Sequence, residues 1–275
     1  MAINNYDGII NARANGGADD PIYIKNTSIT PAAAGNWLSL LRSAGSPGPM
    51  VGTAGNNGGI MNVTDPGAIP LINPGSNNKY LLKCGVSVPS NNGIAALLLI
   101  DVLWLANYSI ASSPGNITMP ALTRYTDGKG VQIGCAVNTA LSSVTPTVTV
   151  TYNPASSDQG TGHSVNTGAF ASALAAPKMM PLATPNLPLA AGDTGVTSIT
   201  NVNISATGTG SIDLFLYKPL AMIPTVNANS IIEWDGFTPL SVDSGSNCGC
   251  IGFLALSGGT NACATQMAML RTVMG

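Results

Sequence analysis

The chain has one imidazole, His163, in the run Gln159-Gly160-Thr161-Gly162-His163-Ser164. Hydrolysis or group transfer near neutral pH usually needs a positioned base of this kind. Glycines at 160 and 162 offer it no scaffold, so it reads as a solvated loop histidine. Ser164 is a poor triad partner: adjacent residues do not easily bring oxygen and nitrogen into line, and no Gly-x-Ser-x-Gly turn is present. Glu233, the sole glutamate, and Asp235 flank Trp234. On a strand they would share one face, at a spacing compatible with a glycosidase pair. The plainer reading is a surface or interface pair.

The other chemistry-bearing residues also lack a complete pattern. Five cysteines, Cys84, Cys135, Cys248, Cys250 and Cys263, form an odd set without C-x-x-C spacing, and they read as reduced, buried small hydrophobes. Cys248 and Cys250 would point to one face of a strand and, with Cys263 and Asp243, could surround zinc. The histidine and tight spacing of usual zinc sites are missing, however. Asp19-Asp20 and Asp127-Gly128 do not follow the alternating oxygen donors of a calcium loop. Gly192-Asp193-Thr194-Gly195 lacks the Lys-Ser/Thr of a phosphate loop and reads as a turn. The expectation is a non-enzyme with no catalytic residue, no metal and no cofactor.

Composition points elsewhere. Of 275 residues, 45% are hydrophobic and only 8% are charged, against about 25% charged in an ordinary soluble domain. With 32 Gly and 19 Pro, the pattern favours short strands joined by many turns. An exterior so poor in charge is weakly protected against association and is expected to be covered in the working state. Ten basic residues lie singly between Arg13 and Arg271, and the net charge is -2. That argues against direct nucleic-acid binding, which relies on clustered cations. The longest apolar run, Ile94 to Leu105, is broken by Asp101 and is too short to span a bilayer, so no membrane is expected. The first residues show no basic region followed by an apolar core, so no signal peptide is expected and synthesis in a cytosol is the default.

The elements that would position these residues are mostly strands. Residues 1–30 read as an extended arm with a short strand at Pro21 to Lys25. In the 31–76 segment, Thr30 as cap, Pro31, and Trp37, Leu38, Leu40 and Leu41 on one face predict a short helix from Thr30 to Ala44, followed by an ordered loop region. Residues 77–275 read as a β-sandwich. Its strands are Lys79 to Val88, Ile94 to Leu105 (buried on both sides), Met119 to Tyr125 paired through Asp127-Gly128 with Val131 to Val137, and Thr145 to Tyr152 with strict alternation. Val165 to Leu174 is helix or strand. Val196 to Ala206 forms a hairpin with Ser211 to Pro219, and Cys250 to Leu256 and Thr265 to Val273 complete the set. Ile212, Leu214 and Leu216 share a face opposite Phe215 and Tyr217, so that strand lies between two layers or is buried by a partner. Roughly eight strands and one short helix predict an all-β fold, a β-sandwich for which a jelly roll is one form. The interface candidates are Tyr23, Trp37, Tyr217, Met222 and Trp234, with Tyr217 foremost; aromatic side chains often dominate contact energy when desolvated.

Several segments, in order, resemble a group of tailed-bacteriophage virion proteins. They are Ala34-Gly35-Asn36-Trp37-Leu38-Ser39-Leu40-Leu41-Arg42, Leu98-Leu99-Ile100-Asp101-Val102-Leu103-Trp104, Gly130-Val131-Gln132-Ile133-Gly134, Thr147-Val148-Thr149-Val150-Thr151-Tyr152, Leu189-Ala190-Ala191-Gly192-Asp193-Thr194-Gly195-Val196 and Leu216-Tyr217-Lys218-Pro219-Leu220-Ala221. The resemblance runs from about residue 20 to the C-terminus and carries no catalytic residue with it. It implies a capsid cement or decoration protein, made in the host cytoplasm and placed on the capsid surface of the virion. Its partners would be the major capsid protein and copies of itself, a homotrimer by analogy. A tail, baseplate or fibre subunit and a carbohydrate-binding or depolymerising module are the alternatives.

Overall fold

The computed structural model describes all residues except 1–5, 27, 30–32, 53–56, 76, 90–92, 143, 159, 172, 226–227, 241–247, 263–265 and 275. In chain order the elements are α1 (Tyr6–Ala14), β1 (Ala18–Asp19), β2 (Ile22–Lys25), β3 (Trp37–Ser39), β4 (Gly45–Ser46), β5 (Gly59–Ile60), β6 (Lys79–Ser87), β7 (Ile94–Ser109) and β8 (Gly115–Asn116). There follow β9 (Gln132–Thr139), β10 (Thr147–Pro154), β11 (His163–Ala169), β12 (Val196–Ile204), β13 (Ser211–Pro224), β14 (Ile232–Leu240), β15 (Cys250–Ser257) and β16 (Gln266–Met274). The fold is mostly β with one short helix, as a jelly-roll-like sandwich requires.

Three sheets share the strands. A central sheet runs β3-β15-β7-β13-β9, with β5 on β7. A terminal sheet, holding strands from both ends of the chain, runs β14-β6-β16-β2-β4, with β1 on β16. A four-stranded sheet runs β11-β10-β12-β8. The edges of the central sheet approach each other: Lys178 bridges Leu38 of β3, and Met179 bridges Ala136 of β9. A strap at residues 178–179 thus nearly closes the sheet into a barrel, filled by Trp37, Ile100, Val102, Met179, Phe215, Tyr217 and Cys250.

Strand β7 explains why the apolar run is continuous. Leu216 pairs with Trp104 but Tyr217 pairs with Val102, so Leu103 is the extra residue of a bulge and the alternation reverses there. Before the bulge, Leu98, Ile100 and Val102 fill the barrel, while Leu97 and Leu99 pack towards the terminal sheet. Beyond it, Leu105 enters the barrel, and Trp104, Ala106 and Tyr108 meet the four-stranded sheet. Both faces are covered from Ile94 to Tyr108, so each of those positions is apolar apart from Asp101 and Asn107. β13 follows suit: Ile212, Leu214 and Leu216 face the four-stranded sheet, and Phe215 and Tyr217 face the barrel. β10 shows the alternation of a half-buried strand, with Val148, Val150 and Tyr152 buried.

Four expectations are corrected. The short helix is at Tyr6–Ala14, inside the segment read as an extended arm, whereas Trp37–Ser39 is a strand; Thr30 and Pro31 lie outside the described residues. Trp37, Leu38, Leu40 and Leu41 are all buried, two entering the barrel core and two the core beneath the terminal sheet. Residues buried on opposite sides mimic a helical face. Met119 to Tyr125 forms no strand: Pro120 lacks a donor, and Arg124 turns inward to Asp101. The turn after it is real, with Gly128 at φ 75° and its N–H donating to Tyr125 O. Finally, β12 and β13 are not hairpin partners. The Thr207 to Gly210 turn carries the chain from the four-stranded to the central sheet, and the two strands face one core across the layers.

Segments 1–30 and 31–76 also supply strands to the β region. Ile22–Lys25 pairs with Gln266–Met269, and Trp37–Ser39 pairs with Leu254–Leu256.

Candidate functional site

His163 is not a free loop residue. It opens β11, opposite Tyr152 of β10. Its Nδ1 lies 2.7 Å from Asp193 Oδ2, which also accepts the Tyr152 hydroxyl at 2.5 Å. The Tyr152 oxygen accepts the Ala190 N–H at 2.8 Å, and burial and the Asp193 bond push its hydroxyl up to about 12. Ser164, the next residue, lies on the opposite side of the strand, with its hydroxyl 3.0 Å from Thr151 Oγ1. A Cβ added to Gly160 would sit 2.7 Å from His163 Nε2, so that nitrogen abuts loop backbone. The arrangement ties the β10–β11 hairpin to the turn at 190–194. Its carboxylate partner is 30 residues away, and no local motif announces it.

The other polar motifs are engaged by the protein itself. The Thr194 N–H of the glycine-flanked turn donates to Asp158 Oδ2 at 2.6 Å, a bond that holds the Asp158 carboxyl below its ordinary range. Asp19 binds Lys79, and Asp20 binds Arg13 and Arg271. Glu233 and Asp235 do share a strand face, but both sit on one ammonium: Lys83 Nζ is 2.8 Å from Glu233 Oε2 and 3.4 Å from Asp235 Oδ1. Cys248 and Cys250 do not share a site, because the first lies in the core beneath the terminal sheet and the second in the barrel. Burial pushes the Cys248 thiol up to about 11 and the Cys250 thiol well above its ordinary value, which disfavours the thiolate that metals require. Cys263 and Asp243 lie outside the described residues. Among the described residues no group of three or more His, Cys, Asp or Glu could hold a metal ion, and no helix is long and apolar enough to cross a membrane.

The scarce charges have a consistent placement. Arg124 and Asp101, both buried, form a two-pronged pair at 2.9 and 3.1 Å, and Arg124 also donates to Met61 O and Val102 O. Gly249 must lack a side chain, since a Cβ there would lie 2.4 Å from Asp101 Oδ2. Arg42 grips buried Asp213 through two bonds of 2.7 Å, and Asn107 adds a third donor. Buried Lys79 meets Asp19 at 2.9 Å. Lys25, also buried, donates to Ser43 O, Pro47 O and Gly48 O at 2.7–2.9 Å and lies over the Tyr23 ring; burial pushes its ammonium down to about 8. Three of ten basic side chains are thus buried and a fourth, Arg42, is largely so.

The contact candidates separate. Tyr23, Trp37 and Tyr217 are buried within the chain, and the Tyr217 hydroxyl donates to Pro185 O at 2.9 Å. A side chain with almost no accessible surface offers a partner nothing, so these three are corrected to core residues. Trp234 is half-buried and packs with Ile232 on the core beneath the terminal sheet, while Met222 is 51% exposed. Sequence reading missed Ile22, Ile24 and Ile231 as exposed apolar side chains, along with Met267 and Met269. The one available signal was the alternation of β16, which puts Met267, Met269 and Arg271 on one side.

No protein-family model and no curated protein matches the chain. Solved structures with a detectable likeness include T=1 particles derived from infectious bursal virus (11% identity, 94% of this chain, 77% of that one, TM-score 0.21). Infectious bursal disease virus Gt strain (10%, 94%, 80%, 0.19) and the VP2 subviral particle of the same virus (10%, 94%, 82%, 0.17) are others. Superpositions this loose assign neither a shared fold nor a shared role.

Proposed function

We propose that the chain is a non-enzymatic structural subunit of a virion: an accessory cement or decoration protein that stabilises a tailed-phage head through repeated lattice contacts. The observation that carries this reading is the placement of charge. A chain with 8% charged residues keeps several of them inside, leaving a thinly charged exterior, which suits a surface covered by neighbours. The ordered resemblance to phage virion proteins supplies the setting. Partners on this reading are the major capsid protein and further copies of the chain. Many modest contacts, repeated over a symmetric shell, add up to firm attachment.

The test is where the chain sits on intact particles, read by electron microscopy with a label fused to it. Label over the head supports the cement role, and label confined to the tail or baseplate transfers the reading to a tail, baseplate or fibre subunit. Anchoring by the N-terminal segment has its own test. The deletion must stop before Ala18 and Asp19, because they pair with β16 and hold Lys79. Removing residues 1–14 is expected to lower particle occupancy while leaving the β fold intact by circular dichroism. Unchanged occupancy would remove the anchoring role.

A further inference from the structure

We infer that the outward face of the terminal sheet is a contact surface for a second copy of this chain, packed face to face about a two-fold axis. Strand register builds the face in rows. Ile22, Met269, Gly85 and Glu233 lie side by side across β2, β16, β6 and β14, and Ile24, Met267 and Ser87 form the next row. Ile22 is 52% exposed and Met267 42%, with Ile24 and Met269 at 37% each. Ile231, at 61%, adjoins the first row: a Cβ on Gly85 would lie 3.3 Å from its Cγ2. Gly85 itself keeps the middle of the face flat. Among the described residues the other exposed large apolar side chains, Ile10, Val51, Ile72 and Met222, lie elsewhere, in α1, loops and β13, so this is where such residues gather.

Charge selects the occupant. The third row holds Arg271, Lys83 and Asp235. With Arg13, Asp20 and Glu233 it makes a rim of three cations and three carboxylates, already paired with one another. A rim of zero net charge draws neither a polyanion nor an anionic membrane. A second copy fits it: a two-fold axis in the plane of the interface and across the strands lays the Ile22–Met269 row on the Ile24–Met267 row, with Glu233, at the β14 end of the first row, still paired with Lys83. The ionic rows then sit at opposite ends, in water, and no charge is buried unpaired. Three nine-residue strands (β6, β14 and β16) and the four-residue β2, about 4.8 Å apart and rising about 3.4 Å per residue, span roughly 500 Å² of sheet. That is below the ~800 Å² per partner of a standard interface, so a weak, concentration-dependent dimer is expected. This deepens the virion reading by naming one partner surface, and it is tested on the isolated chain so that its failure leaves particle placement untouched.

Sedimentation velocity of the purified full chain, from nanomolar to high micromolar, is the experiment. The expected result is a concentration-dependent dimer, weakened about tenfold or more by Ile22→Lys or Met269→Lys, with unchanged circular dichroism. Met222→Lys, on the central sheet, leaves the dimer intact. Met269→Ser, which adds no charge, provides a milder version should either lysine variant fold poorly, and is expected to weaken association in the same direction. A chain that stays monomeric throughout, a trimer without a dimer, or a dimer indifferent to all three face variants would overturn the inference, as would equal loss with Met222→Lys.

Discussion

The β7–β13 pair of the central sheet and the β2–β16 pair of the terminal sheet are both rich in apolar residues, yet they meet opposite fates. Along β7 and the first half of β13, Ser211 to Tyr217, the sandwich covers both faces, so the apolar residues there find their neighbours within the chain. Along β2 and β16 only the inward face is covered, and alternate residues, Ile22, Ile24, Met267 and Met269, stay exposed. Most ion pairs divide the same way, the buried Lys79–Asp19 pair at the end of β6 being the exception. In the central sheet Asp101 and Asp213 are buried and held by two bonds each from an arginine; on the terminal sheet Lys83 and Arg271 meet their carboxylates at the surface. An apolar strand shows that something covers it. What decides between the same chain and another is whether a second layer exists on that side.

Breaking the central pair should have the largest effect. Asp101→Ala leaves the Arg124 guanidinium buried without its carboxylate, and a loss of about 3–5 kcal/mol in unfolding free energy is expected from urea denaturation. Replacing both partners, Asp101→Leu with Arg124→Met, should recover much of that loss, since no lone charge remains. If the double variant were as unstable as the single one, shape at the Gly249 contact rather than charge would be the controlling factor.

A smaller effect is expected at Lys25, which sits on the inward side of β2. Lys25→Met removes the donor to three carbonyls and should cost about 2 kcal/mol near pH 7. Its pH dependence has a defined sign. Below about pH 8 the lysine is protonated in both folded and unfolded chains; between about 8 and 10.5 only the unfolded chain holds the proton, so raising the pH through that window favours folding. The gain is at most about 3 kcal/mol, because the three carbonyl acceptors favour the protonated form. Urea titrations of parent and variant should therefore diverge further as pH rises from 8 towards 10.5. Parallel curves would mean that the ammonium is not desolvated as the cage implies.

Legibility in the sequence follows the same division. The period-two pattern of Thr147 to Tyr152 and the run from Ile94 were readable, because one or two covered faces leave a direct imprint on residue order. Trp37 to Leu41 misled because side chains buried on opposite sides satisfy a helical period as well as a strand's. Helix α1 gave no signal: Tyr6–Ala14 carries Gly8 and Asn11 and no apolar stripe. The β12–β13 turn looked like a hairpin because glycine-rich turns serve sheet crossings equally well. Tyr217 was assigned to a partner because the composition of its strand could not tell an internal second layer from an external one. Glu233 and Asp235 were placed on one face correctly, but the lysine between them comes from β6, about 150 residues earlier in the chain, beyond any local pattern.

The smallest effect is expected at that lysine. Lys83 lies between two exposed carboxylates, and its ammonium is held above its ordinary range, chiefly by the hydrogen bond to Glu233. In high dielectric such a bridge contributes little, so Lys83→Met should leave the urea denaturation midpoint almost unchanged. The same substitution leaves Glu233 and Asp235 without their shared cation at the edge of the proposed contact face, so self-association should respond more than folding does. Denaturation and sedimentation on one preparation of the variant separate the two. A loss of folding stability comparable to that of Asp101→Ala would mean that the terminal rim is an internal support, and the contrast between the sheets would fail.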